Sequence, residues 1–99
     1  MFQENKYITC GVEEHVPVTI QLMLWHMIEL ARNRVELDYL QVFNISKDNN
    51  TGLVHITHHQ EQPEYKNEVF VLCDDEVDSH KVFVIDDVTH CTMLLAEEY

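Results

Sequence analysis

Apolar residues recur along this chain with two different periods. Between Pro17 and Arg34 the spacing is helical. At about 100° per residue, Ile20, Met23, Leu24, Met27, Ile28, Leu30 and Ala31 fall in one arc of roughly 160°, wide enough to cover a sheet. Gln21, His26, Glu29, Arg32 and Asn33 fill the other side. Leu22 and Trp25 interrupt that polar side, three apart and therefore neighbours on the helix surface. Pro17 suits a first helical turn, where its missing N–H costs nothing. Glu13 and Glu14 precede the positive end of the helix dipole, and Arg32 and Arg34 sit at its negative end. These signals predict one long helix over 17–34.

Elsewhere the period is two, which predicts strands. In Lys6–Val12, Ile8, Cys10 and Val12 alternate with Tyr7, Thr9 and Gly11. Leu37–Ser46 alternates imperfectly, which predicts a bulge near Gln41–Phe43. Leu53–Gln60 sets Val54 and Ile56 inward and His55, Thr57 and His59 outward. Glu68–Cys73 and Lys81–Ile85 follow, and Cys91–Ala96 reads as a last strand in preference to a short helix, the segments being separated by turns at 47–52, 60–66, 74–80 and 86–89. Short connections after the second strand predict an antiparallel meander. The expected fold is α+β: a single domain over 1–99 with one long helix packed on a curved, mainly antiparallel sheet of five to six strands. Glu68–Cys73 and Lys81–Ile85 are apolar on both faces, and one helix covers one face only. The second face therefore needs sheet curling, the chain ends or a second subunit.

Charge narrows the partners. Eighteen Asp and Glu oppose six Lys and Arg, a net charge of −12. Nucleic acid and anionic membrane both require a cationic surface, so neither is expected as a partner. No apolar run reaches the roughly 20 residues of a membrane-spanning helix, and the first ten residues lack the pattern of a signal peptide. Cys10, Cys73 and Cys91 are odd in number and far apart, which argues against a disulfide framework and for a reducing cytoplasm. Seven histidines in so negative a field are expected to favour their protonated forms and to titrate near 6.5.

Three constellations are candidates for chemistry. The first is His55, His58 and His59. On a strand His55 and His59 share a face but stand about 13 Å apart at 3.3 Å per residue, with His58 on the opposite face. Zinc bonds near 2 Å cannot span that gap, so His55 and His59 do not share one ion unless the strand bends. The second is the cysteines, read as buried small hydrophobes at strand positions; His90 and Cys91, adjacent on a strand, point to opposite faces. The third is the turn carboxylates. Asp48, Asp74, Asp75, Glu76 and Asp78 are expected at one end of the sheet, and Glu61, Glu64, Asp86 and Asp87 at the other. Either group is a loose Ca²⁺ or Mg²⁺ candidate without the spacing of a dedicated calcium loop.

Several segments resemble a family of short acidic proteins from Gram-positive bacteria known as a domain of unknown function. They are MLW at Met23–Trp25, LDYLQVF at Leu37–Phe43, EQPEY at Glu61–Tyr65, VFVIDD at Val82–Asp87 and TMLLAEEY at Thr92–Tyr99. The resemblance runs nearly the whole chain and implies no activity, cofactor or catalytic residue. At Cys10 this chain departs from the family's Arg after the first strand's Thr. The expected function is contact between proteins, with no cofactor, no catalytic residue and a homodimer as the expected assembly, Leu22 and Trp25 marking the contact surface. The alternative is a small metal-dependent enzyme or metal binder using Asp74, Asp75, Glu76 and Asp78 or the strand histidines.

Overall fold

The computed structural model describes Phe2 and residues 5–99. The elements are β1 (Asn5–Ile8), α1 (Cys10–His15), α2 (Val18–Arg32), β2 (Leu40–Lys47), β3 (Leu53–Gln60), β4 (Tyr65–Leu72), β5 (His80–Asp86) and β6 (His90–Leu95), followed by a 3-10 turn at Ala96–Glu98. The strands form one sheet in the order β1-β6-β5-β2-β3-β4. Four of its pairings are antiparallel and β1 lies parallel to β6. The fold is α+β, with a mixed, mostly antiparallel sheet and one main helix.

The main helix forms where its periodicity predicts, with Pro17 just ahead of its first residue. Ile20, Leu24, Met27, Ile28 and Ala31 are buried, while Met23 and Trp25 pack partly against the core. Gln21 departs from the expected polar side. It is buried because its Nε2 donates to the Val16 carbonyl at 2.8 Å, which replaces the water it loses.

The first strand is shorter than its alternation predicts. It ends at Ile8, and Thr9 caps a new helix by accepting the Val12 N–H on its hydroxyl. Val12 and Val16, four apart, are the buried pair of this segment; a one-turn helix mimicked period two over so short a run. Cys10 therefore sits exposed on α1, contrary to the expectation of three buried strand cysteines, whereas Cys73 and Cys91 are buried. Gly11 lies under a close approach that a larger residue would displace. A Cβ there would stand 2.7 Å from the Glu98 carboxylate, which accepts from the Thr9 hydroxyl at 2.6 Å and the Leu95 N–H at 2.8 Å. Those two bonds, the Thr9 one first, hold Glu98 below its ordinary pKa.

The expected meander holds for β2, β3 and β4 and then fails. β5 does not pair with β4; it returns across the end of the sheet through 73–79 and pairs with β2. Strands 5-2-3-4 thus form a Greek key. The composition gives the reason. KVFVI is apolar on both faces and gains most from a central place, where Val82 and Val84 are fully buried. β4 begins earlier than expected, at Tyr65, and its first half carries Lys66, Asn67 and Glu68, which suits an edge. The bulge expected near Gln41–Phe43 is absent, for β2 pairs in unbroken register on both sides. Gln41, Val42 and Phe43 are buried in succession because β2 is central. Its inward side faces the helices, and its outward Val42 is walled by Phe83 and His59 in the same row.

The core lies on the inward face. Phe43, Ile45, Val54, Ile56, Val82, Val84, Cys91 and Met93 meet Val12 and Val16 of α1 and the buried stripe of α2 in a single cluster. Both helices cover this face.

Candidate functional site

Two features stand out once the core is placed: a buried polar network at one end of the sheet, and the face that no helix covers.

The network is built on three inward strand positions. Gln41 is fully buried on β2, as is His58 on β3, and Gln60 is nearly so. Gln60 Oε1 accepts from the Asp38 N–H at 3.1 Å and from Gln41 Nε2 at 2.8 Å, while its Nε2 donates to the carbonyls of Glu36 and Pro63 at 2.9 Å each. Gln41 Nε2 also donates to the Asp38 carbonyl, and Gln41 Oε1 accepts from His58 Nε2 at 2.6 Å. The His58 ring stacks on Phe43 and meets Tyr65 edge-on. Burial, followed by the nearby His59, pushes the His58 pKa down to about 4. That reverses the expectation that every histidine here favours its protonated form, because desolvation of this ring outweighs the distant negative field. Chemically the network ties the strand ends to the loops at 36–38 and 61–64. His58 is stacked and enclosed, with none of its surface exposed.

The open face is defined by the register. Its outward positions include Leu40 and Val42 of β2, His55, Thr57 and His59 of β3, Lys66, Glu68, Phe70 and Leu72 of β4, Lys81, Phe83 and Ile85 of β5, and Thr92 and Leu94 of β6. Phe70 and Leu72 are 61% and 76% exposed. Tyr99, at the chain end, reaches the edge of Phe83. His55 stacks on Phe70, and its Nε2 lies 2.8 Å from a Glu68 carboxylate oxygen. Thr57, His59, Lys66 and Glu68 rim a shallow depression of about 590 Å³.

Charge sets this face apart. Among the described residues only two carboxylates, Glu68 and Asp86, lie in strands, and Asp86 alternates inward with Val82 and Val84, its Oδ1 accepting from the Phe2 N–H. The open face thus offers two lysines, Lys66 and Lys81, against the single carboxylate of Glu68, in a molecule of net charge −12.

The other expected site residues are spread out. Leu22 is 63% exposed, and Val18, one helical turn before it, is 66% exposed. Trp25 is half-buried against the core, with the Lys6 ammonium 5.7 Å from its ring centre. His55 and His59 point outward and His58 inward, as the strand spacing predicts. Asp74, Asp75, Glu76 and Asp78 are exposed in the connection that crosses the sheet end near the β2–β3 turn, where the Asp75 carbonyl accepts from Lys47 Nζ. Asp48 shares that end, and Glu61, Glu64, Asp86 and Asp87 share the other. Among the described residues no three His, Cys, Asp or Glu side chains are grouped to hold a metal, and no helix is long and apolar enough to cross a membrane. The Gln41–His58–Gln60 network went unread in the sequence, although each shares strand parity with buried neighbours such as Phe43, Val54 and Ile56.

A six-stranded open sheet with a Greek key at its centre and helices on one face only defines a small α+β domain. The chain belongs to the family described as "Staphylococcal protein of unknown function (DUF960)", whose pattern matches residues 5–98. A similar fold is seen in the crystal structure of the protein of unknown function from Enterococcus faecalis, with a TM-score of 0.84 at 23% identity, over 97% of this chain and 91% of that one. No curated protein matches the chain.

Proposed function

We propose that this protein acts by contact with other protein chains in the cytoplasm, pairing with a second copy of itself, and carries out no reaction of its own. The observation that supports this reading most is the uncovered sheet face, where Phe70 and Leu72 stay largely exposed on edge strand β4 and a second, half-buried apolar group, Phe83, Ile85 and Leu94, lies across β2 and β3 from them. Exposed apolar side chains rimmed by polar ones are what interaction sites present. The depletion of carboxylates from the same face favours contact, since charged residues are depleted at interface centres.

The stripe Val18, Leu22, Trp25 on α2 supports a second contact surface. Leu22 there is largely exposed, whereas Trp25 divides its area between the core and solvent. The test of the reading is sedimentation velocity from micromolar to near-millimolar concentration, with affinity capture from a native extract alongside. A rise in mass with concentration is expected. A constant monomer that captures nothing would remove the reading.

A further inference from the structure

We propose that the open sheet face is where two copies meet, about a two-fold axis running along the strands between β2 and β3, so that Lys81 of each copy opposes Glu68 of the other. This inference rests on the self-association reading and names its surface.

The register carries it. Lys81 pairs with Asn44, Asn44 with Thr57 and Thr57 with Glu68, so the four form one outward row across β5, β2, β3 and β4. At about 4.8 Å between strands the row sets Lys81 and Glu68 roughly 14 Å apart, at its two ends. A two-fold axis at the middle of the row, parallel to the strands, exchanges β5 with β4 and β2 with β3. It brings each Lys81 over a Glu68 and each Asn44 over a Thr57. The neighbouring row, Phe83–Val42–His59–Lys66, follows the same exchange. Phe83 of one copy then lies over Lys66 of the other, beside the depression rimmed by Thr57, His59, Lys66 and Glu68, an arrangement that an aromatic ring and an ammonium favour.

The occupant follows from charge. A molecule of net charge −12 repels its own copy over most approaches. The open face lowers that repulsion locally, and its row carries both signs at opposite ends. Only a partner with the reversed pattern satisfies both ends, and a second copy related by a two-fold axis supplies it without further tuning. A uniformly acidic partner would leave Glu68 opposed, and a uniformly basic one Lys81. Four overlapping strands of about seven residues cover roughly 440 Å² per copy, at the small end of specific interfaces. The dimer is therefore weak and depends on concentration.

The test is a charge reversal followed by sedimentation velocity. Lys81→Glu and Glu68→Lys, made singly, are each expected to weaken the dimer about tenfold or more by setting like charges together. The double variant is expected to recover wild-type dimerisation to within about threefold. Lys81→Glu should melt as wild type, since Lys81 is exposed. Glu68→Lys and the double variant both lose the Glu68–His55 contact and should melt alike, so a difference in dimerisation between them reads the interface and not the fold. If the double variant dimerises no better than the singles, or the singles match wild type, this interface is wrong. If in that case Leu22→Ser with Trp25→Ser abolishes the dimer, contact runs through α2 and self-association stands. A wild-type chain that stays monomeric throughout overturns both.

Discussion

His58 Nε2 stands 2.6 Å from Gln41 Oε1, and the backbone N–H of Asp38 decides which of them holds the proton. That N–H can only donate, so the atom of Gln60 facing it is oxygen. The same oxygen accepts from Gln41, which turns the Gln41 nitrogen towards Gln60 and its oxygen towards His58. His58 must then carry its proton on Nε2. Nδ1 is left as a lone pair, buried without a partner. A second proton at Nδ1 would be a charged donor in the core with nothing to accept it.

Stability should therefore fall with pH through His58. Its pKa is about 4 folded and 6.5 in the ordinary state. Above 6.5 both states are neutral and the group contributes no pH dependence. Between 6.5 and 4 the unfolded chain takes a proton that the folded one refuses, so stability drops as pH falls. Below 4 both are protonated and the loss levels off. The difference between 6.5 and about 4 corresponds to about 3 kcal/mol. Urea unfolding at pH 7 and pH 4.5 should show most of this loss in wild type and little of it in His58→Gln, beyond what the other groups contribute to both. Equal slopes would count against the account.

Gln60 should be among the most sensitive polar positions. Its side chain makes four hydrogen bonds, and Gln60→Leu leaves the Asp38 N–H, the carbonyls of Glu36 and Pro63 and one Gln41 proton to find other partners. A loss of about 2–4 kcal/mol is expected. Gln62, exposed in the adjacent turn, should tolerate Ala within about 0.5 kcal/mol. Paired denaturant melts compare them directly.

Val88 should be improvable. It holds φ 70° in the turn between β5 and β6, is 80% exposed, and is β-branched. That region strains such a side chain by roughly 1–3 kcal/mol. Val88→Asn, which tolerates the left-handed region, should raise stability by about 1 kcal/mol in a thermal melt. An unchanged or lower melting temperature would show the turn to be relaxed.

The two residues of the α2 stripe should separate. Leu22→Ser is expected to change stability by less than about 0.5 kcal/mol. Trp25→Ser should cost about 2 kcal/mol, because the ring packs against the core and beneath Lys6. Chemical denaturation of the single variants distinguishes the two.

Much of the fold was legible in the chain's periodicity. The span of α2, the face pattern of β3 and the two ends that collect the carboxylates all follow from 3.6- and two-residue repeats. The strand order was not. Periodicity reports which side of a strand is apolar and not which neighbour it pairs with, so β5 read as the next rung after β4 when its two-sided apolar run placed it beside β2. The switch at Thr9 was hidden because Ile8, Cys10 and Val12 alternate across what becomes a strand end and a helical turn. The open face was half legible. Surplus apolar residues on Glu68–Cys73 and Lys81–Ile85 announced it, but the row that joins Lys81 to Glu68 exists only once β2 and β3 stand between them.

Amide chemical shifts recorded on serial dilution report whether copies of this chain meet through the uncovered sheet face. Concentration-dependent shifts are expected at Asn44, Thr57, Glu68, Lys81 and Phe83, reversed on dilution, with Val18 and Leu22 of α2 unmoved. Shifts confined to α2, or spectra that do not change with concentration, would contradict that contact.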